Sequence, residues 1–412
     1  MSNRRTILQG AAAAGLGIAL PSLSRAESAT TVRVGLMTVK TGPFASGGID
    51  MERALTMFLA ERDNMLGGAK VQLMVADTGG IPANARTKIQ ELVEQQHIQV
   101  LIGPLAAGDA LAIDDYLRAQ KLPTLSVAAA EDMTQRKASP WFVRATSTSS
   151  QSAHAMADYC AKTLKFKRMA LVADDIPYGQ EMNAGFQRVF EEAGGKVVQK
   201  LFSPMTTPDY ASYIAQLKNV DAVFLGFAGS NGFRFIRQFQ DSPLKDKLVL
   251  VGGMTALDES VLRNMGDEAV GIQTACWYSP ELANPINAKF TAAFRKAHGY
   301  DPGFYAAATY VNGAVLEAAL QATGGNAERE ALMAALHRTN VQTARGPVKF
   351  DEYGNVVGDV YIRRVERKDG RLVNAVVKTY PGVSQFWNIG AKQFLANPVY
   401  SRDWPPARNL ES

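Results

Sequence analysis

Residues 32–48 read VRVGLMTVKTGPFASGG. The first eight form a short apolar run, in the length range of a buried strand. The next nine are mostly small and Gly-rich and are broken by Pro43, as in a tight strand-to-helix turn. Asp50 stands where it can cap a helix, and Met51, Ala54, Leu55, Phe58 and Leu59 follow with three-four spacing. Strand, small-residue loop and amphipathic helix make one unit of a parallel α/β fold.

The unit repeats. Val71, Leu73 and Val75 mark a second strand, 100–102 a third that ends at Gly103-Pro104, and 122–127 a fourth, with helices over about 85–95 and up to Gln120. The pattern then restarts. Strands are predicted at 169–173, 197–202, 222–227, 248–251 and 272–277, and helices near 150–165, 179–194, 209–218, 230–241 and 257–265. Helical patterns follow at 285–298, 303–322 and 327–338, then a β-rich stretch over 346–380 with turns at 352–355 and 368–370, and an irregular tail over 386–412. Two similar Rossmann-like halves are expected, each a parallel sheet with helices on both faces.

The chain has 412 residues, 47% of them hydrophobic and 20% charged, which is globular composition with room for two or three domains. Its 44 Lys+Arg against 39 Asp+Glu give a net charge of +5 and invite a nucleic-acid partner. The N-terminus answers that. Asn3-Arg4-Arg5-Thr6-Ile7-Leu8-Gln9 is a twin-arginine pattern, an apolar run follows over 10–20, and Ser24-Arg25-Ala26 is a cleavage site. The run is shorter than the roughly 20 residues of a membrane span. Residues 1–26 are predicted to be a twin-arginine (Tat) signal peptide, leaving a periplasmic protein that begins near Glu27. No cysteine follows for lipid attachment. Arg4, Arg5 and Arg25 are three of the five excess charges and no acid accompanies them, so the exported chain carries +2 and no nucleic-acid partner is expected. Export allows Cys160 and Cys276 to pair; two buried free thiols are the alternative.

Signals for catalysis are missing. No P-loop, GxGxxG, HExxH or EF-hand pattern occurs after the signal, and His97, His154, His298 and His337 are scattered. Ala228-Gly229-Ser230-Asn231-Gly232 lacks the first glycine of a nucleophile elbow, so Ser230 reads as a loop or N-cap residue. Asp174-Asp175 and Glu191-Glu192 read as solvated charge, and Lys165-Phe166-Lys167-Arg168 as a solvated turn. No enzyme, cofactor or metal is expected. The loops say more. In parallel sheets, ligands bind beyond the carboxyl ends of the strands. Those ends carry small residues at 40–48, 103–108 and 126–132, opposite Tyr178-Gly179 and 227–229, which points to a cleft between the halves.

With these loops the chain resembles the periplasmic substrate-binding proteins of branched-chain amino-acid-type ABC transporters. The resemblance runs over 31–380. It is carried by VGLMTVKTGPFASGG (34–48), LIGP (101–104) with ALAI (110–113), LPTLSVAAAEDMT (122–134) and WFVRATSTSSQSAHAMADY (141–159), then DDIPYGQ (174–180), YDPGFYAAATYVNGAVLEAA (300–319) and GPVKFDEYG (346–354). It implies a type I fold of two lobes and three hinge crossings, near 144–149, 277–280 and 350–354. Lobe 1 would be 31–146 plus 279–350, lobe 2 would be 147–278 plus 351–385, and 386–412 a C-terminal extension. Ligand would close the hinge of a monomer, and the closed form would dock on a membrane permease.

The departures from the family pattern point to the ligand. Amino-acid binders of this family hold the α-carboxylate with hydroxyls where this chain has Ala107 and Ala130, and the α-ammonium with an acid where it has Met254. An ammonium buried without a partner costs several kcal/mol. Phe227 and Tyr305 match aromatic wall positions and Tyr178 the lobe-2 tyrosine. A site built from Phe44, Tyr178, Phe227, Met254, Tyr278 and Tyr305, with Trp277 unless strand alternation turns it inward, suits an aromatic acid of the benzoate or hydroxycinnamate type. Backbone N–H groups along Ala106, Ala107, Ser126, Ala128, Ala129 and Ala130 would take its carboxylate, and Glu131 or Asp132 a ligand hydroxyl. The alternatives are a branched-chain or other hydrophobic amino acid, with Glu131 reaching the ammonium, or a ligand sensor of the same fold.

Overall fold

The opening apolar run is strand β1 (Thr31–Thr38), and the loop after it leads into α1 (Ala45–Ala60). A computed structural model describes residues 30–411; the expected export signal lies outside the described residues. Along the chain follow β2 (Met65–Leu66), β3 (Ala69–Asp77), α2 (Pro82–Gln90), β4 (Val100–Ile102), α3 (Ala107–Gln120), β5 (Thr124–Ser126) and β6 (Phe142–Arg144). The next run comprises α4 (Ser149–Lys162), β7 (Arg168–Asp174), α5 (Pro177–Glu192), β8 (Lys196–Ser203), α6 (Ala211–Ala215), β9 (Ala222–Gly226), α7 (Ser230–Gln240), β10 (Val249–Gly252), α8 (Glu259–Leu262) and β11 (Gln273–Cys276). Then come α9 (Pro285–His298), α10 (Phe304–Ala322), α11 (Arg329–His337), the hairpin β12 (Asn340–Thr343) and β13 (Gly346–Lys349), β14 (Gly358–Lys368), β15 (Arg371–Val383) and α12 (Ala391–Leu395).

Two sheets organise these elements. One has the order β2-β3-β1-β4-β5-β6, parallel except for β2. The other has the order β15-β14-β11-β10-β9-β7-β8, with β7 to β11 parallel and β14 and β15 antiparallel to their neighbours. Each sheet with its helices is a lobe. Helix α10 returns to the first lobe: Thr309 donates to Met51 C=O on α1 at 2.7 Å, and Phe58 meets Tyr310 edge-on at 5.0 Å. The chain therefore passes between lobes after β6, after β11 and after β13. At the first and third passages Arg144 N–H donates to Gly354 C=O at 2.8 Å and Val356 N–H to Arg144 C=O at 3.0 Å. Arg345 ties in the second, giving hydrogen bonds to Ala145 and Thr146 C=O while its guanidinium lies 4.8 Å from the Trp277 ring.

Four local expectations are corrected. Asp50 does not cap α1 but sits buried within it, because the helix already starts at Ala45. Gly48 allows that early start, since a Cβ there would lie 1.8 Å from Val39 C=O. Residues 142–144 add a sheet strand too short to show periodicity. The tail contains α12, and Phe386, Phe394 and Tyr400 bury themselves against Ala184. Asp174 is no solvated charge but is fully buried at the end of β7. Cys160 and Cys276 are buried free thiols, on α4 and β11.

Candidate functional site

The loops beyond the carboxyl ends of both sheets meet around one small, tightly closed cavity. The first lobe contributes Phe44, Leu105, Ala106, Ala107, Val127, Ala129, Phe304 and Tyr305. The second contributes Ile176, Tyr178, Ala228, Met254 and Thr255. None of these side chains is charged. The lobes touch beside the cavity: Phe304 N–H donates to Asp258 at 2.5 Å, Glu131 N–H reaches Glu181 at 3.3 Å, and Gly229 packs on the Pro43 carbonyl. These cross-cleft contacts describe a closed form.

Two loops of the first lobe carry unpaired backbone donors at residues beside the cavity. Ala106 is the N-cap of α3 and its side chain makes no cap bond, so the first N–H groups of the helix, from Ala107 onward, lack intrahelical acceptors. Helix dipole and free N–H groups together favour an anion there. In the loop after β5 three successive carbonyls are engaged within the protein. Ala128 C=O accepts from Arg144 Nε at 2.9 Å, Ala129 C=O from Ser149 N–H at 2.9 Å, and Ala130 C=O from the Arg144 guanidinium. Among the described residues, the N–H groups of Ala129 and Ala130 have no protein acceptor.

The second lobe supplies hydroxyls. Tyr178, in the first turn of α5, lies 2.8 Å from Thr255 Oγ1, and Thr255 donates to Phe227 C=O at 3.1 Å. Burial pushes the Tyr178 and Tyr305 phenols well up, so both stay neutral.

Of the residues named from sequence, Phe44, Ala106, Ala107, Ala129, Tyr178, Met254 and Tyr305 line the cavity. The others lie elsewhere. Phe227 points into the second-lobe core, 5.4 Å from the Tyr210 ring and 5.2 Å from Phe235, so that Ala228 takes the wall position. Tyr278 donates to Asn287 at 2.8 Å in the hinge core, and Trp277 is buried against Phe304. Ser126, Ala128 and Ala130 sit behind the wall, fully buried. Glu131 also faces away: it accepts from Ser150 N–H at 2.7 Å and from Gln135. Burial raises its pKa and that of Glu181, whose other large cause is the Glu131 charge. Asp132 pairs with Arg136 at 3.5 Å. Leu105, Val127, Ile176, Ala228, Thr255 and Phe304 line the cavity without having been named. Each lies within two residues of a named one, but adjacency in sequence does not say which side chain turns toward the cleft.

The model of the periplasmic binding protein family matches residues 31–371. The chain belongs to that family. Among curated relatives, a Leu/Ile/Val-binding protein homolog of Brucella abortus is 29% identical over 367 residues, covering 86% of this chain and 93% of its own. A solute-binding protein of an ABC transporter from Rhodopseudomonas palustris, solved with 3,4-dihydroxybenzoic acid, is 30% identical and superposes with a TM-score of 0.82, over 86% of this chain and 98% of that one. Another from R. palustris, solved with benzoate, is 26% identical with a TM-score of 0.81, over 86% and 97%. This periplasmic binding protein is of the ABC-transporter type, with the two-lobed type I fold. No helix among the described residues is long and apolar enough to cross a membrane.

Proposed function

We propose that this chain is an exported, monomeric solute-binding protein that captures an aromatic carboxylate, of the benzoate or hydroxycinnamate type, and presents it to an ABC permease by hinge closure. The observation that carries this reading is the charge-free cavity wall. A zwitterionic amino acid would leave its ammonium unpaired beside Met254, at a cost of several kcal/mol. An aromatic acid meets no such penalty. Its ring packs on Phe44, Tyr178, Phe304 and Tyr305, and its carboxylate accepts from the N–H groups at Ala107 and Ala129. The aromatic acids bound by the R. palustris neighbours support it.

Thermal-shift and calorimetric titration of the protein over residues 27–412 test the proposal, with benzoate, hydroxybenzoates, hydroxycinnamate, leucine and valine. Stabilisation by aromatic acids alone is expected, about 2.7 kcal/mol at a ligand concentration one hundred times Kd. Stabilisation by leucine or valine with none by aromatic acids refutes the proposal.

A further inference from the structure

The hydrogen-bond chain on the second-lobe wall has a fixed direction. Phe227 C=O can only accept, so the Thr255 hydroxyl, 3.1 Å away, commits its proton there. Tyr178 Oη lies 2.8 Å from Thr255 Oγ1, and with that proton committed Tyr178 must be the donor of the pair. A neutral phenol has one proton and two acceptor lone pairs. Tyr178 Oη is left with acceptor capacity only, on a ring that lines the cavity. The first-lobe end is opposite in character, with a backbone N–H at Ala129 that has no protein acceptor among the described residues. The cavity thus offers a backbone donor at the first-lobe loop and the Tyr178 acceptor at the second-lobe wall, where the Tyr305 hydroxyl also lies beside Thr255.

We infer that Tyr178, held in orientation by Thr255, is the specificity-determining residue for a ring hydroxyl, so that hydroxylated aromatic acids are preferred to unsubstituted ones. This rests on the aromatic-acid reading above. A phenolic hydroxyl on the ligand donates to Tyr178 Oη. A hydrogen or fluorine at the same ring position leaves that buried oxygen without the bond, and a carbonyl there brings lone pair against lone pair. Sites built to hydrogen-bond a hydroxyl reject the analogue lacking it much more strongly than apolar pockets reject an extra methylene.

Calorimetric titration tests this with benzoate, the three monohydroxybenzoates, 4-fluorobenzoate and 4-formylbenzoate, on wild type, Tyr178→Phe and Thr255→Val. In wild type the preferred hydroxybenzoate should bind at least tenfold more tightly than benzoate, 4-fluorobenzoate and 4-formylbenzoate. Tyr178→Phe should bring hydroxybenzoate and benzoate within about twofold of one another while benzoate itself still binds. Thr255→Val keeps the side-chain shape but removes the acceptor of the Tyr178 proton; the freed hydroxyl can then donate, and discrimination against 4-formylbenzoate should fall. Unchanged apo melting temperatures confirm that the variants fold, and Tyr178→Phe carries the test if Thr255→Val does not. Benzoate binding as tightly as every hydroxybenzoate in wild type overturns the inference and leaves the aromatic-acid reading standing. So does a preference that survives in Tyr178→Phe, and so does 4-formylbenzoate binding as tightly as hydroxybenzoate, which would make Tyr305 a donor to the ligand. Failure of every aromatic acid to bind overturns both readings.

Discussion

Gly229 is where closure of the two lobes can be separated from stability of the fold. It is the N-cap of α7, with φ 58° and ψ −140°, and a Cβ built on it would lie 2.2 Å from Pro43 O and 2.8 Å from Pro43 C in the opposite lobe. Gly229→Ala therefore introduces two penalties that act on different equilibria. The backbone strain of a side chain at this φ is about 1–3 kcal/mol and is present whether the lobes are open or closed. The overlap with Pro43 exists only in the closed form. Backbone on one side and a β-carbon on the other leave no flexible end to move aside, so closure must stop short by roughly 1 Å, at about 1–3 kcal/mol as for other overpacked contacts. That is a five- to 150-fold rise in Kd, by the usual conversion of about 1.4 kcal/mol per decade. Gly194→Ala is the control. Its φ is 86°, but a Cβ there meets nothing within 4 Å, so it pays the strain without the clash. Calorimetry of the apo proteins and titration with the tightest aromatic acid read the two effects. Both variants should melt lower, and only Gly229→Ala should bind more weakly. An unchanged Kd for Gly229→Ala beside a lowered melting temperature refutes the reasoning, because it would mean that Pro43 and Gly229 do not approach on closure.

Two buried carboxylates give pH-dependent predictions. Asp174 accepts from Ala228 N–H at 2.9 Å and Asn231 Nδ2 at 2.6 Å, but burial outweighs these bonds and pushes its pKa up to about 7. Raised above its unfolded value of 3.8, it contributes stability that is complete below 3.8 and is lost as pH rises through about 7, about 4 kcal/mol over that window at 1.36 kcal/mol per unit. Urea denaturation from pH 4 to 8 should show this decline in wild type and a flatter profile in Asp174→Asn; equal slopes would contradict it. The second prediction concerns Glu181, which meets Glu131 across the cleft with Arg144 as the nearby cation, and both carboxyl pKa values are raised, first by burial. The closed form then holds a proton that the open form releases, so affinity should fall as pH rises, by at most tenfold per unit for one proton. Titration in buffers of different ionisation heat should show proton uptake on binding, absent in Glu181→Gln; uptake that persists in the variant would assign it elsewhere.

Local pattern in the sequence was enough for most of the architecture. The apolar runs became strands, and helix α9 falls on the predicted 285–298, because three-four periodicity and the Asn284 cap with Pro285 are local signals. The same holds for the loops: glycine and alanine at the strand ends already marked which edge of each sheet borders the cavity.

What the sequence determined was thus the two α/β halves and the cleft between them, which follow from spacing, while the resemblance to the binding-protein family implied its uncharged character, with Met254 and Ala107 standing where that family's amino-acid binders carry polar groups. Tertiary structure alone decided which atoms face the cavity. Phe227 and Ala228 are neighbours, and only the packing of Tyr210 and Phe235 sends the phenylalanine to the core and the alanine to the wall. Asp174 looks like a loop charge until Asn231 and Ala228 N–H, more than fifty residues away, close over it. Glu131 was free to serve a ligand until Ser150, Gln135 and Glu181 claimed its surroundings. Thr255 gained its role only from a carbonyl 28 residues distant that fixes which way a proton points. Periodicity fixes which face of an element is buried, whereas orientation within a closed cleft is set by contacts between segments far apart in the chain.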